Sequence, residues 1–485
     1  MDQIIGRREE LKTLENIYSS NEAELLAIYG RRRVGKTFLI NKFFRDKGVY
    51  FELTGTKDAK AHEQLINFTA ELSRVFLHGE KRAAPANWTE AFTCLRNEIE
   101  KIEEKRKIIL FFDELPWLAS QKSGFLQALE HFWNRYISRD KRIITIICGS
   151  AASWMIKNII HSKGGLHNRV TKKIRLLPFT LSETEEFLNS RNINLDRKQI
   201  TEIYMATGGV AQYLRYIERG KSATQVINDI CFNRNGELFD EFDKLYRSLF
   251  GSYENHINII KALSKKNSGL TKDELLKEVN LKSGGTSSKT IKELEEAGFI
   301  AYIPTFEKKK VSGRYRLIDE YSLFYLTWIV EAPNSSLEGV DKDYWIKKRT
   351  TRKWSTWSGY AFENICFKHI TKIKAALGIS GVSTLESSWS YTPPNQSKTK
   401  GAQIDMIIDR EDNCINLCEM KYYNSEFTID KGYAEKLMNK KNTFKEKTNT
   451  RKTLFTTMIS TYGTKKNEHY LSAVENQLII DDLFE

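Results

Sequence analysis

The sequence is poor in the features that mark secreted or membrane-spanning chains. Six cysteines in 485 residues include no Cys-x-x-Cys pair. That excludes a disulfide framework and a zinc ribbon, and fits a reducing compartment. Apolar runs such as Ile143–Cys148 fall far short of the ~20 residues needed to cross a bilayer. The opening MDQIIGRREEL is charged and holds no apolar signal core. A soluble, cytoplasmic protein with no membrane partner is expected. The eight histidines are scattered without metal-ligand spacing. There is no Pro- or Ser-rich linker and no repeat, so domain boundaries must come from changes of pattern.

What is present is ample core material. Hydrophobic residues at 40% and aromatics at 12% rule out wholesale disorder, and the length suggests about three domains. Lys+Arg at 76 against Asp+Glu at 62 leaves a net charge of +14, a mild pull toward a polyanion such as nucleic acid.

From about residue 20 to 178, short apolar runs alternate with helical stretches: Glu24–Tyr29, Val49–Leu53, Ile108–Phe112, Ile143–Cys148 and Lys173–Leu177. Continuous apolar strands separated by helices predict a parallel sheet covered on both faces, hence an α/β core over 1–178. Residues 179–245 read as a helical lid, opened by a capping box at Ser182 to Glu185. Over 246–330 the order is helix, helix, helix, hairpin, which predicts a winged helix. Its signs are a capping box from Thr271 to Glu274, a helix over Ser287–Ala297 stopped at Gly298, and strands at Phe299–Pro304 and Arg314–Ile318. The last portion, 350–485, starts with a helix at Tyr360–Ile370 and continues as alternating strands and helices.

Gly30-Arg31-Arg32-Arg33-Val34-Gly35-Lys36-Thr37 matches GxxxxGK[ST], following an apolar strand and opening a helix at Phe38. Its glycines let backbone N–H groups wrap phosphates, and the helix N-terminus adds its positive dipole. Lys36 neutralises β- and γ-phosphate charge, and Thr37 ligates magnesium. Downstream, Ile108–Phe112 delivers Asp113 and Glu114 at a strand end. Asp113 suits the magnesium and its water shell, and Glu114 suits polarisation of the attacking water. Ser150 follows another strand, where a hydroxyl can sense the γ-phosphate. ATP and Mg²⁺ are the expected ligands.

These residues resemble the archaeal-type ATPases of the AAA+/STAND-like group. The likeness rests on Gly6-Arg7-Arg8-Glu9-Glu10-Leu11, the phosphate loop, Phe112-Asp113-Glu114, Gly149-Ser150, and Thr207-Gly208-Gly209 with Tyr213-Leu214. It implies that Gly6 and Arg7 lie near the adenine, and that Arg169 contacts the γ-phosphate in cis or in trans. For Arg169 a surface or structural role is an equal alternative. Ala211 stands where the family usually has Pro, and Gly165 to Asn168 departs from its pattern.

In the expected winged helix, Lys282, Ser287, Ser288, Lys289 and Lys292 fall on or before the recognition helix, and Lys308, Lys309 and Lys310 on the wing. Such a basic set suits phosphate contacts beside a major groove. Glu293, Glu295 and Glu296 dilute the charge, and a spacer or protein-contact role is the competing expectation.

A second constellation lies near the C-terminus. Gln403–Ile408 and Ile415–Lys421 form a hairpin. Period-2 alternation puts Asp405 and Ile407 on one face, and Leu417, Glu419 and Lys421 on one face of the partner strand. An Asp, a Glu and a Lys can then converge, which suits magnesium-assisted phosphate chemistry, and Glu363 on the preceding helix can add a ligand. This pattern resembles the PD-(D/E)xK nuclease fold, with Glu363, Asp405, Glu419 and Lys421 on the matching positions. Many relatives of this ATPase group carry that fold at the C-terminus, some with the acids eroded. The stretch Lys431–Phe444, with Tyr433, Leu437, Lys440 and Lys441, is a basic amphipathic helix that suits a phosphate backbone and a solvated face equally. Cys414, Cys418, Trp117, Trp133 and Trp154 are expected to serve packing.

Two functions from different classes follow. One is an ATP-binding and hydrolysing protein coupled to a metal-dependent DNA nuclease, in defence or mobile-element maintenance. The other is a nucleotide-switched regulator that binds DNA or a protein and uses a non-catalytic nuclease-like domain. Assembly as a homo-oligomer or with a protein partner is expected for either.

Overall fold

A computed structural model describes residues 3–103, 105–161, 166–250, 252–306, 313–332, 343–394 and 401–485. The chain divides into two compact units, Met1–Pro178 with Ser248–Gly251, and Phe179–Arg247 with Ser252–Glu485.

In the first unit, strands β1 (Glu24–Tyr29), β2 (Val49–Thr54), β3 (Ile108–Asp113), β4 (Ile143–Gly149) and β5 (Lys172–Arg175) form one parallel sheet in the order β2-β3-β4-β1-β5. β3 and β4 are buried along their whole length, the price in sequence being near-continuous apolar runs rather than alternation. Each face carries its own apolar cluster. Leu110, Phe112, Ile143 and Ile147 pack on one side with Phe68, Trp88, Phe92 and Trp133. Ile109, Phe111, Ile144 and Ile146 pack on the other with Leu39, Ile40 and Phe44 of the Lys36–Phe44 helix. Strand order jumps between β1 and its neighbours, so the loop after β1 opens at the crevice where such sheets bind ligands.

The second unit begins with the helices Leu181–Ser190 and Arg197–Thr207. The capping box of the first helix is Thr180 with Glu183, not Ser182 with Glu185. Thr180 Oγ1 accepts from Glu183 N at 3.2 Å, and Glu183 Oε2 accepts from Thr180 N at 2.9 Å. Two overlapping S/T-x-x-E matches compete here, and the apolar Leu181 at the first helical position selects the earlier one by its burial. The Thr271–Glu274 box forms as expected. Helices Glu254–Ser264, Lys272–Glu278 and Gly285–Glu296 precede an antiparallel pair, β6 (Ile300–Pro304) and β7 (Gly313–Leu317). Lys308, Lys309 and Lys310, expected on the wing, lie outside the described residues.

The C-terminal sheet has the order β12-β11-β10-β9-β8, from β8 (Thr384–Tyr391), β9 (Ala402–Arg410), β10 (Cys414–Lys421), β11 (Thr453–Ser460) and β12 (Asn476–Ile479). β9 runs antiparallel to both β8 and β10, and β10, β11 and β12 run parallel. The helix Arg352–Lys368 packs on β10, and the helix Lys431–Thr448 contributes Phe444 to the cluster of Trp389, Ile404, Ile407, Ile415 and Leu417.

Buried polar ties bind the helices of this unit to one another and to the end of β10. Glu202, 1% exposed, accepts from Arg349 Nε at 3.0 Å and Nη2 at 2.7 Å, from Lys198 Nζ at 2.6 Å, and from Tyr422 OH at 3.2 Å. His369 Nε2 accepts from Leu181 N at 3.0 Å. Burial holds that imidazole down at about 4, so it stays neutral and keeps Nε2 available as an acceptor. Lys368 Nζ donates to the buried Glu320 at 2.6 Å.

Candidate functional site

The loop after β1 has the conformation that its glycines permit. Gly30 has φ +148°, and a Cβ there would stand 2.2 Å from the Leu176 carbonyl oxygen, so no side chain fits. Gly35 has φ +97° at the entry to the Lys36–Phe44 helix. Arg33 adopts φ +69° between them. Lys36 is buried and donates through Nζ to the carbonyls of Gly30 at 2.8 Å and Arg31 at 2.9 Å. Its ammonium thus sits inside the arch of the loop. Arg31 and Val34 are buried, Arg32 stacks 5.8 Å from the Trp117 ring, and Phe38 is half exposed. Arg7 donates to the Val34 carbonyl at 3.2 Å, which fixes Gly6 and Arg7 against the loop.

β3 ends beside this loop. Asp113 Oδ2 accepts from Thr37 Oγ1 at 2.6 Å, and Asp113 Oδ1 accepts from Glu114 N at 2.8 Å. Glu114 has φ +47°, and its Oε2 accepts from Ser150 Oγ at 2.8 Å. The paired hydroxyl and carboxylate of Thr37 and Asp113 are hard oxygen donors of the kind magnesium takes, so the residues fit that ion. Arg169 is exposed on the turn His167–Arg169.

Three polar residues behind the loop escaped the sequence reading. Asn41 Nδ2 donates to Glu52 Oε1 at 3.2 Å, and Tyr50 OH donates to Asn41. Burial, and then the Asp113 carboxylate, raise Glu52 above the usual carboxylate range despite the Asn41 bond. Asn41 follows Lys36 by five positions on the same helix, and no short motif marks it.

In the second unit, one expectation is corrected. β9 sets Ile407 opposite Ser387 but Ile404 opposite Trp389. Asp405 and Met406 therefore face Ser388 alone, which is a β-bulge. Ile404 and Ile407, three apart, both enter one apolar cluster, and strict alternation forbids that. Asp405 thus leaves the face of Ile407, Leu417, Glu419 and Lys421. Met406 lies opposite Cys418, whose thiol neighbours Cys366 of the Arg352–Lys368 helix. Asp405 turns to the same side, close enough to Glu363 of that helix to raise its pKa.

The four residues still gather at the end of β10, but from two faces. Glu419, 9% exposed, accepts from Lys421 Nζ at 2.8 Å, Lys440 Nζ at 2.7 Å and Tyr433 OH at 2.5 Å. Burial works to raise this carboxyl, and the two ammonium groups outweigh it and hold it at about 2. Glu363 pairs with Arg316 Nη2 of β7 at 3.3 Å. Burial and then Asp405 push Glu363 up to about 8, against Arg316 and Lys421. Lys421 links the faces, since it bonds Glu419 and also acts on Glu363. Asp405 accepts from Gln403 Nε2 at 2.6 Å. No group of three or more acids, histidines or cysteines arranged for a metal occurs among the described residues. Asp405, with a neutral partner, fits a cation better than Glu419, both of whose oxygens already carry donors. Tyr433 and Lys440 are seven apart on one helix, so their shared face was legible, whereas Arg316 on a short strand gave no signal.

On the Gly285–Glu296 helix, Ser287 points inward, bonded to the Lys282 and Gly284 carbonyls at 2.9 and 3.1 Å. Ser288 accepts from Lys272 Nζ at 2.8 Å. Lys289 and Lys292 are exposed and stand 3.7 Å from Glu293 and Glu296, pairs worth little at a surface. Cys418 is buried, Trp133 belongs to the first unit's core, and Trp117 and Trp154 are partly buried.

Residues 4–217 match the model of a family described as an ATPase domain predominantly from Archaea. An uncharacterized protein of Methanocaldococcus jannaschii is 25% identical over 372 residues, covering 76% of this chain and 77% of its own length. An uncharacterized ATP-binding protein of the same organism is 51% identical over 45 residues, 9% of this chain and 76% of that one. Among solved structures, the Walker-type ATPase of Pyrococcus abyssi aligns with a TM-score of 0.46 at 17% identity, over 67% of this chain and 96% of that one. The ORC2 protein of Aeropyrum pernix, in ADPNP–ADP complexes, aligns with a TM-score of 0.43 at 16% identity, over 68% and 94%. No helix among the described residues is long and apolar enough to cross a membrane. The portion that carries the phosphate loop is an ATPase domain of the archaeal type.

Proposed function

We propose that this ATPase hydrolyses ATP with Mg²⁺ at the phosphate loop and uses nucleotide state to control a metal-dependent DNA nuclease in its C-terminal domain. In the first site Lys36 carries phosphate charge, Thr37 and Asp113 hold the magnesium, and Glu114 orients the attacking water. Ser150 holds Glu114 and is positioned to exchange that bond for one to the γ-phosphate. Gly6 and Arg7 border the base, and Arg169 is the candidate γ-phosphate contact from a neighbouring copy. In the second site Asp405 and Glu419 are the oxygen donors that would hold a divalent ion, which supplies charge neutralisation at a phosphodiester. Lys421 bonds the phosphate oxygens, and Glu363, with its raised pKa, is suited to donate a proton to the leaving oxygen. The observation that carries this reading is the gathering of Glu363, Asp405, Glu419 and Lys421 at the end of β10.

One observation favours a second reading, in which the domain binds without cutting. Glu419 is compensated by two lysines, so this carboxylate has little unbalanced charge to offer a cation. The deciding experiment incubates purified protein with supercoiled, linear and single-stranded DNA, with Mg²⁺ or Mn²⁺, with and without ATP, beside Asp405→Ala. Cutting that disappears in the variant establishes the nuclease. Cutting equal in the variant, or none in wild type, leaves the nucleotide-switched regulator.

A further inference from the structure

A file of aromatic rings runs from the Glu419 carboxylate to solvent. Tyr433, bonded to Glu419, meets Phe427 edge-on at 5.1 Å and 72°. Phe427 meets Tyr423 edge-on at 5.8 Å and 84°. Tyr423 is 51% exposed, at the outer end of the file. It follows Lys421 by two residues, so its position is set by the strand that carries the acidic site.

The support under this ring is built, not loose. Tyr423 N donates to Thr461 Oγ1 at 2.9 Å. Phe427 N donates to the Gly463 carbonyl at 2.9 Å, and Lys465 N to the Phe427 carbonyl at 2.9 Å. The loops after β10 and β11 are thereby stitched into a short parallel bridge. Cations flank the rings. Lys421 Nζ stands 5.6 Å from the Tyr433 ring centre, Lys440 lies across Glu419, and Lys465 and Lys466 are exposed on the stitched loop.

Rings interleaved with lysines suit a polyanion that can offer base faces as well as phosphates. A duplex buries both faces of each base and presents only edges and backbone, whereas an unpaired strand can lay a base on a ring while its phosphates meet the lysines. Resting on the nuclease reading for the neighbouring acids, we propose that Tyr423 is a stacking platform for an unpaired base. The C-terminal site then takes single-stranded DNA in preference to duplex.

The test measures binding and not cutting, so that it stands apart from the nuclease assay. Full-length protein in EDTA is titrated into a fluorescein-labelled oligo-dT strand and into a hairpin duplex of equal charge, and anisotropy is read. Wild type is expected to bind the single strand more tightly. Tyr423→Ala should weaken that binding about tenfold and leave the duplex unaffected, because stacking is worth about 1–3 kcal/mol per base. Tyr423→Phe should restore wild-type affinity, and all three proteins should melt alike because the ring is at the surface. Equal or tighter binding of duplex, no binding of either DNA, or the same loss for both DNAs in Tyr423→Ala overturns the proposal. Single-strand binding through Tyr423 in a protein that cuts nothing with any metal upholds the platform and removes the nuclease. Cutting of duplex that ignores Tyr423 does the reverse.

Discussion

The two acid-bearing strand ends of this molecule treat their carboxylates in opposite ways. At the end of β3, Asp113 and Glu114 are bonded by the hydroxyls of Thr37 and Ser150, neutral partners that orient a carboxylate without cancelling its charge. At the end of β10, Glu419 is paired with two ammonium groups. A neutral partner leaves charge for an incoming cation, whereas a buried ion pair must be opened first, and opening it is costly. Asp113 and Glu114 thus keep their charge uncancelled, whereas that of Glu419 is already balanced by its lysines. Asp405, which accepts from the Gln403 amide, is the member of the second group that resembles the first.

The largest effect that would sharpen this contrast is in the first unit. Lys36→Ala should abolish ATP binding and turnover, as read by nucleotide binding and phosphate release. Unchanged turnover would show that the arch around Gly30 and Arg31 is not the phosphate site. Next, Glu114→Gln should retain ATP binding and slow hydrolysis about 10²–10⁴-fold. A wild-type rate there would mean that the bond from Ser150 positions nothing of consequence.

Glu419→Gln should cost about 3 kcal/mol or more of stability in the second unit, because it leaves Lys421 and Lys440 facing an amide in a buried setting. ATP turnover should be spared. The pH dependence follows from the depressed pKa. Glu419 falls from the ordinary 4.5 to about 2, so its contribution is full above about pH 4.5 and is lost as pH falls through about 2. The stability gap between wild type and Glu419→Gln should therefore close across that window in denaturant titrations. A gap constant with pH would break the ion-pair account. The smallest effect is expected of Asp405→Asn, within about 0.5 kcal/mol, since it exchanges one neutral-partner geometry for another. A loss matching that of Glu419→Gln would erase the distinction between the two acids.

Much of this was legible. Long apolar strands located β1, β3 and β4 within a residue, because strands buried on both faces leave little choice of composition. The phosphate loop was legible for a different reason, since only glycine fits at Gly30 against the Leu176 carbonyl. What was hidden depends on events that local pattern does not encode. The bulge at Asp405–Met406 is one residue of slip, and the unbroken apolar run Met406-Ile407-Ile408 offers no alternation against which it could show. The cap at Thr180 was masked by a second match two residues later. Arg316 reaches Glu363 across 47 positions, and no spacing rule spans that distance.

The Glu202 cluster bears on how this chain can be divided. A fragment begun at Thr350 would keep Tyr422 and His369 but discard Arg349, the Glu202 carboxylate and the Leu181 amide that they serve. Its newly bared surface would expose polar groups shaped for partners no longer present. A cut at Phe179 keeps every one of those partners on the same piece. The sheet of β8 to β12 is therefore tied to the helical segment ahead of it, while the first compact unit, which ends at Pro178, also takes in Ser248–Gly251.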